Sequence, residues 1–158
     1  MIVATVGHQM PFDRLIRALD AWAIVDGRSD LFAQVGRGRY LPRQFAAVPF
    51  LDPASLEQRI ASASAVIAHA GMGTVITARR LGKPLLVVPR RADLGETRND
   101  HQLATARHLE QAGDALVAWE MTDLPAKIRE LTDFEPAGRL QEGASEELIH
   151  AVRTFLAA

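Results

Sequence analysis

An α/β domain, a parallel sheet of about six strands with helices on both faces, is the fold this sequence predicts. Three observations carry it. Short apolar runs alternate with segments whose apolar residues recur at helical spacing. Several runs end in glycine-containing or basic turns, at Gly7-His8, Gly36-Arg37, His69 to Thr74 and Pro89-Arg90. Residues 62–89 form one complete unit of strand, glycine turn, helix and strand. The arrangement is Rossmann-like, and in such sheets ligands sit at the carboxyl ends of the strands, near the switch in strand order.

Taken in order, residues 2–6 are a β-rich run ending at Gly7-His8. Pro11 starts a helix in which Phe12, Leu15, Ile16, Leu19 and Ala23 recur at helical spacing, and Asp26-Gly27 ends it. Residues 31–35 are a second strand, followed by the basic loop 36–40. Residues 46–51 are a third, and Pro49 inside it argues for the sheet edge. Asp52-Pro53 supply an N-cap and a first-turn proline for a helix through Leu56 and Ile60.

The central unit follows. Residues 65–68 are a strand that meets His69, Thr74 caps a helix carrying Val75, Ile76 and Leu81, and Gly82 ends it. Pro84 launches the strand 85–88, and a polar loop covers 90–98. Asn99 or Asp100 caps a helix with Leu103, Ala106 and Leu109 inward and Gly113 at its end. Residues 115–119 are a sixth strand. Thr122 starts a helix with Leu124, Ile128 and Leu131, Pro125 falling in its first turn. A last helix runs from Ser145, carrying Leu148, Ile149, Val152, Phe155 and Leu156. No repeat or linker interrupts the pattern, so residues 1–158 are expected to form a single domain.

Composition narrows the function classes. A formal charge of −1 gives no general pull toward nucleic acid, so any anion site must be local. The chain has no cysteine, which excludes disulfides, thiolate catalysis and cysteine-ligated metals. No apolar stretch approaches the roughly 18 residues needed to span a bilayer. The N-terminus enters a strand directly, without the basic and apolar regions of a signal peptide, so a cytoplasmic chain is expected.

The candidate chemistry gathers in the turn His69-Ala70-Gly71-Met72-Gly73-Thr74. Glycines there let backbone approach a ligand, and the helix start behind them favours an anion. On spacing alone it is as readily a structural turn: the third glycine of a dinucleotide fingerprint is absent at position 76, and Gly82-Lys83 runs into Pro84 instead of completing a P-loop. His69 at a strand end either caps a carbonyl or donates a charge-assisted hydrogen bond to a phosphate. Gly7-His8 and Gly36 are further strand-end turns on the same edge. Arginines 37, 39, 90, 91 and 98 make two basic loops, and Asn99-Asp100-His101-Gln102 packs polar groups at a helix start. Asp-x-Asp, His-Glu-x-x-His and Gly-x-Ser-x-Gly motifs are all absent, which argues against a chelated metal and against a serine hydrolase.

These segments are familiar in combination. Residues 3–16 (VATVGHQMPFDRLI), 33–38 (AQVGRG), 64–90 (SAVIAHAGMGTVITARRLGKPLLVVPR) and 99–113 (NDHQLATARHLEQAG) resemble the C-terminal, donor-binding domain of family 28 glycosyltransferases, which have the two-domain GT-B architecture. Most similar are the stand-alone donor subunits of the Alg13 and PssE type. The resemblance covers about the first 113 residues. It implies that Gly7, His8 and Gly71, Met72, Gly73 and Thr74 cradle the phosphates of a UDP-sugar; Gly36, at a strand end on the same edge, is a further expected substrate-binding residue. It further implies that His69, Asp100, His101 and Gln102 face the donor diphosphate and sugar; Arg90, in the basic loop after the strand 85–88, is also expected to bind the substrate. Two positions depart from the family pattern: Thr77 stands where a glutamate usually holds the ribose hydroxyls, and His8 where the first loop more often has Thr or Ser.

What the resemblance implies is the donor-binding subunit of a UDP-sugar glycosyltransferase, inverting, metal-independent and without a cofactor. It acts with a membrane-associated, acceptor-binding partner of the Alg14 or PssD type, on a lipid-linked or exopolysaccharide acceptor. No catalytic residue is assigned, His69 being the one candidate. Two other readings stay open here: a non-catalytic nucleotide-binding module that kept the fold, and a UDP-GlcNAc epimerase-like enzyme.

Overall fold

The computed structural model describes residues 1–137, and the helix expected from Ser145 lies outside them. Six parallel strands form one sheet in the order β3-β2-β1-β4-β5-β6. They are β1 (Ile2–Thr5), β2 (Leu31–Gln34), β3 (Ala46–Val48), β4 (Ala65–His69), β5 (Leu85–Val88) and β6 (Leu116–Val117). Among the described residues four helices connect them, α1 (Asp13–Val25), α2 (Pro53–Ser62), α3 (Met72–Arg80) and α4 (His101–Gln111), and α5 (Leu124–Leu131) follows β6.

The strands read as continuous apolar runs because both faces are covered. Side chains alternate between two cores. Ile2, Ala4, Ala65, Ile67, Leu86 and Val88 pack with Leu15, Ile16 and Leu19 of α1 and Ile128 of α5. Val3, Val66, Ala68, Leu85 and Val87 pack on the other face with Ile60, Val75, Ala78, Ala106 and Leu109 of α2, α3 and α4. Each fully buried aliphatic side chain contributes about 1.5–3 kcal/mol relative to exposure. β1 is central, pairing with β2 on one side and β4 on the other, so the chain order reverses between β1 and β4. That is the switch point of a doubly wound sheet.

Several local expectations hold. β3 is an edge strand and stops before Pro49; Asp52 caps α2 by accepting the Ser55 N–H at 3.0 Å. Others need correction. α1 begins at Asp13, not Pro11, and β6 shrinks to two residues. α3 begins at Met72 with Gly71 as its N-cap, so Thr74 lies inside the first turn and caps nothing. With that phase Val75 and Ala78 face the core, and Ile76, turned about 100° from Val75, is 46% exposed. At α4 the Asp100 carboxylate makes no cap bond, because it accepts the Ala92 N–H instead; Asn99 accepts the His101 N–H.

Loops at the carboxyl edge are held by charges from α1. Asp13 accepts the main-chain N–H groups of Arg39 and Tyr40. Buried Asp20 accepts from the Tyr40 hydroxyl at 2.6 Å and from the Arg43 and Gln44 N–H groups. Its burial raises its pKa, but those bonds outweigh the burial and hold the carboxyl below its ordinary value. Arg14 grips Glu96 through both carboxylate oxygens, at 2.6 and 2.8 Å, and so fastens the loop before α4.

Candidate functional site

The two glycine turns after β1 and β4 meet at the switch point and open onto a cavity of about 410 Å³. Gly7 lines it with φ of 74°, a left-handed conformation that favours glycine. Behind it Gly36, at φ 59°, has no room for a side chain, since a β-carbon there would stand 2.7 Å from the Gly7 carbonyl oxygen. Gly71, Gly73 and Thr74 line the facing wall at the start of α3, whose first-turn N–H groups have no intrahelical partner. The anion-favouring end of that helix therefore faces the cavity.

His69 sits at the bottom between the two turns. A β-carbon on Gly7 would stand 2.7 Å from its Cε1, and one on Gly71 would overlap its Nε2. Its Nδ1 is buried without a hydrogen-bond partner. Burial, and then the nearby positive charge of Arg90, lower its pKa to about 4, against a smaller opposite pull from the Thr5 carbonyl. The imidazole is therefore neutral near pH 7, and it offers an anion a hydrogen bond without adding a positive charge of its own.

Arg90 is not a surface arginine. It is 3% exposed, and its Nη2 donates to the carbonyls of Val6 at 2.6 Å and Met10 at 2.5 Å. Those carbonyls flank residues 7–9, so one guanidinium holds the first turn in shape. The Arg90 N–H donates to Oε1 of Gln102 at 3.1 Å, which ties β5 to the first turn of α4. Gln102 and His101 both line the cavity. His8 lines it too, its ring stacked on Phe50 with centroids 5.5 Å apart.

Four expected site residues are not among the lining residues, the first being Gly36, which stands behind Gly7. Met72 is 53% exposed. Asp100 is exposed and engaged with Ala92. Thr77 turns its hydroxyl back to the Gly73 carbonyl at 3.0 Å. Among the lining residues that the sequence did not single out is Gln34, fully buried at the end of β2, which donates to Thr5 Oγ1 at 3.2 Å and accepts the Leu51 N–H at 2.9 Å. A polar residue closing an otherwise apolar strand was the available signal. Among the described residues no His, Asp and Glu cluster is arranged to hold a metal ion.

The family model for the glycosyltransferase family 28 C-terminal domain matches residues 5–154. The chain belongs to that family. Its relatives include the human UDP-N-acetylglucosamine transferase subunit ALG13, 34% identical over 122 residues, and the mouse protein of the same name, 35% identical over 112. Those alignments cover 71% and 65% of this chain but 10% and 9% of the relatives, so the chain spans about a tenth of their length. Among solved structures, that of ALG13 superposes with a TM-score of 0.60 at 18% identity, covering 96% of this chain and 93% of that one. The MurG protein of Acinetobacter baumannii gives 0.65 at 16%, covering 96% and 49%. The UDP-GlcNAc 2-epimerase of Methanocaldococcus jannaschii gives 0.66 at 7%, covering 99% and 45%. At such identities the likeness is one of fold.

Proposed function

We propose that this family 28 domain is the donor-binding half of a UDP-sugar glycosyltransferase. The observation that carries the reading is the meeting of two glycine turns and the α3 N-terminus on one cavity at the strand switch. The UDP diphosphate lies against the first-turn N–H groups of α3 and the turn at Gly7, and the sugar lies toward His101 and Gln102. An acceptor hydroxyl attacks the anomeric carbon from the face opposite UDP. The C1–O bond to the diphosphate breaks, UDP keeps the electron pair, and the acceptor proton passes to a base. That displacement inverts the anomeric centre. Negative charge building on UDP is offset by the helix N-terminus, with no step that calls for a metal or cofactor.

The base and the groups that hold the acceptor hydroxyl belong to a partner subunit of the Alg14 or PssD type, which recruits the chain to the cytoplasmic face of a membrane. The acceptor is a lipid-linked or exopolysaccharide intermediate. The relatives' description as transferase subunits supports a divided enzyme. Among the described residues no helix is long and apolar enough to cross a membrane. Calorimetry of the chain against UDP, UDP-GlcNAc, UDP-glucose and UDP-glucuronate tests donor binding, and radiolabelled transfer with and without the co-expressed partner tests the division. Binding to none of the four, or full transfer by the isolated chain, would sink the corresponding half of the proposal.

One observation favours a second reading. Thr77, at the ribose position, is bonded to its own helix and not directed to the cavity by any recorded contact. A binding module without transferase activity is then expected to bind UDP and UDP-sugars equally and to leave the sugar intact with every partner. The epimerase-like alternative has the likeness of fold alone in its favour, and conversion of UDP-GlcNAc to its epimer by the isolated chain is its test.

A further inference from the structure

Beside the donor cavity lies a second one of about 530 Å³, the two sharing His8, Gln9, Met10, Thr97 and His101. It adds Arg37, from the loop after β2, and Arg98, from the loop before α4. No carboxylate lines it. Of the neighbouring arginines, Arg14 is engaged with Glu96, Arg91 with Asp93 and Glu120, and Arg90 with main-chain carbonyls, while Arg39, of the same loop as Arg37, lies outside the cavity. Arg37 and Arg98 make no recorded side-chain hydrogen bond, ion pair or ring contact among the described residues. Both loops are nonetheless held in shape. Gly36 donates to the Pro49 carbonyl, Asp13 accepts Arg39 and Tyr40 N–H groups, Glu96 accepts the Arg91 N–H, and Asp100 that of Ala92.

Two unpaired guanidinium groups facing one cavity repel each other, and this chain has 19 acidic residues with which to neutralise them. Their loops are fixed, yet the charges are left open. A guanidinium fork matches phosphate and carboxylate oxygens in pairs. We propose that the second cavity is a subsite for an anionic group, phosphate or carboxylate, held by Arg37 and Arg98 next to the transferring sugar. The inference rests on the donor reading of the first cavity. The anion comes either from the acceptor, as the diphosphate of a lipid carrier, or from the donor, as a carboxylate on its sugar.

Both arginines are exposed, so their replacement is expected to leave the fold intact, with an unchanged unfolding midpoint as the check. The full chain, its R37A/R98A variant and its R39A variant, an exposed arginine of the same loop outside both cavities, are titrated calorimetrically with geranyl diphosphate, UDP-glucuronate and UDP-glucose. The double variant is expected to lose roughly tenfold or more in affinity for one of the first two, the scale of a lost bond to a charged group. UDP-glucose affinity and the R39A variant stay within about twofold of the parent. Loss for geranyl diphosphate assigns the anion to the acceptor; loss for UDP-glucuronate assigns it to the donor. Equal affinities in parent and double variant, an equal loss in R39A, or no binding of either anionic probe overturns the subsite. Failure of UDP-glucose to bind, with arginine-dependent geranyl diphosphate binding retained, removes the donor reading and leaves the anion subsite standing.

Discussion

The His69 ring occupies the space that a side chain on Gly71 would need. Gly71 has φ of −96°, which any residue adopts, so the demand for glycine is steric and not conformational. Gly71→Ala is expected to cost about 1–3 kcal/mol as the ring or the turn is forced aside. Urea unfolding measures it, and pairing the change with His69→Ala should recover most of the loss; strictly additive effects would clear the ring of blame. Gly73 gives the opposite sign. Nothing lies within 4 Å of a β-carbon built there. Gly73→Ala is expected to stabilise α3 by about 0.5 kcal/mol while weakening UDP binding, because the added methyl enters the cavity.

The buried imidazole also makes stability depend on pH. With a folded pKa of about 4 against an ordinary 6.5, His69 takes up its proton in the unfolded chain first. Its contribution is therefore complete above pH 6.5, and it is lost as the pH falls from there to about 4. The ceiling is about 3 kcal/mol, at roughly 1.4 kcal/mol per unit. Unfolding midpoints across that window should slope for the parent and flatten for His69→Gln. A His69→Gln profile as steep as the parent's would assign the slope to other groups.

The sheet was legible because apolar runs of strand length alternate with helical periodicity, and a parallel sheet buries both faces of each strand. The start of α3 was not: Thr74 is a better capping residue than Gly71 by composition, and the helix begins earlier because Gly71 alone fits beside His69. At the site, turns announced themselves through glycine. Arg90 was expected at the site but not as the clamp on the first turn, and Gln34 was not expected there, since each acts across the sheet. Arg90 reaches carbonyls 84 and 80 positions away, and Gln34 bridges β1 to Leu51, ahead of the Asp52 cap of α2. An arginine opening a polar loop looks exposed until those partners are known.

The clamp on the first turn predicts a graded series at position 90. A single nitrogen, Nη2, bonds both Val6 and Met10. Arg90→Met strands two acceptors and is expected to cost about 2–3 kcal/mol, with faster amide hydrogen exchange at residues 7–10 and weaker UDP binding. Arg90→Lys keeps one nitrogen with enough protons for both carbonyls and should retain more than half of each effect. If the lysine variant exchanges as fast as the methionine variant, the planar fork and its reach matter more than the two bonds.

Position 77 carries the last prediction. The Thr77 hydroxyl spends its proton on the Gly73 carbonyl one turn back, a bond that adds little in a helix already made. Thr77→Ala should leave both stability and UDP affinity nearly unchanged. Thr77→Glu restores the acidic residue that resembling domains set against the ribose, and a carboxylate accepts from both hydroxyls of that ring. The expected gain in UDP affinity is about tenfold, the scale of two hydrogen bonds to a charged acceptor after desolvation. The gain should be smaller for 2′-deoxy-UDP, which offers one hydroxyl fewer, and this difference separates a ribose contact from a general electrostatic effect. A new negative charge near the diphosphate would by itself weaken both nucleotides equally. Calorimetry of the two nucleotides with both variants decides it: an equal loss for UDP and 2′-deoxy-UDP in Thr77→Glu would mean that the ribose is held elsewhere in this domain.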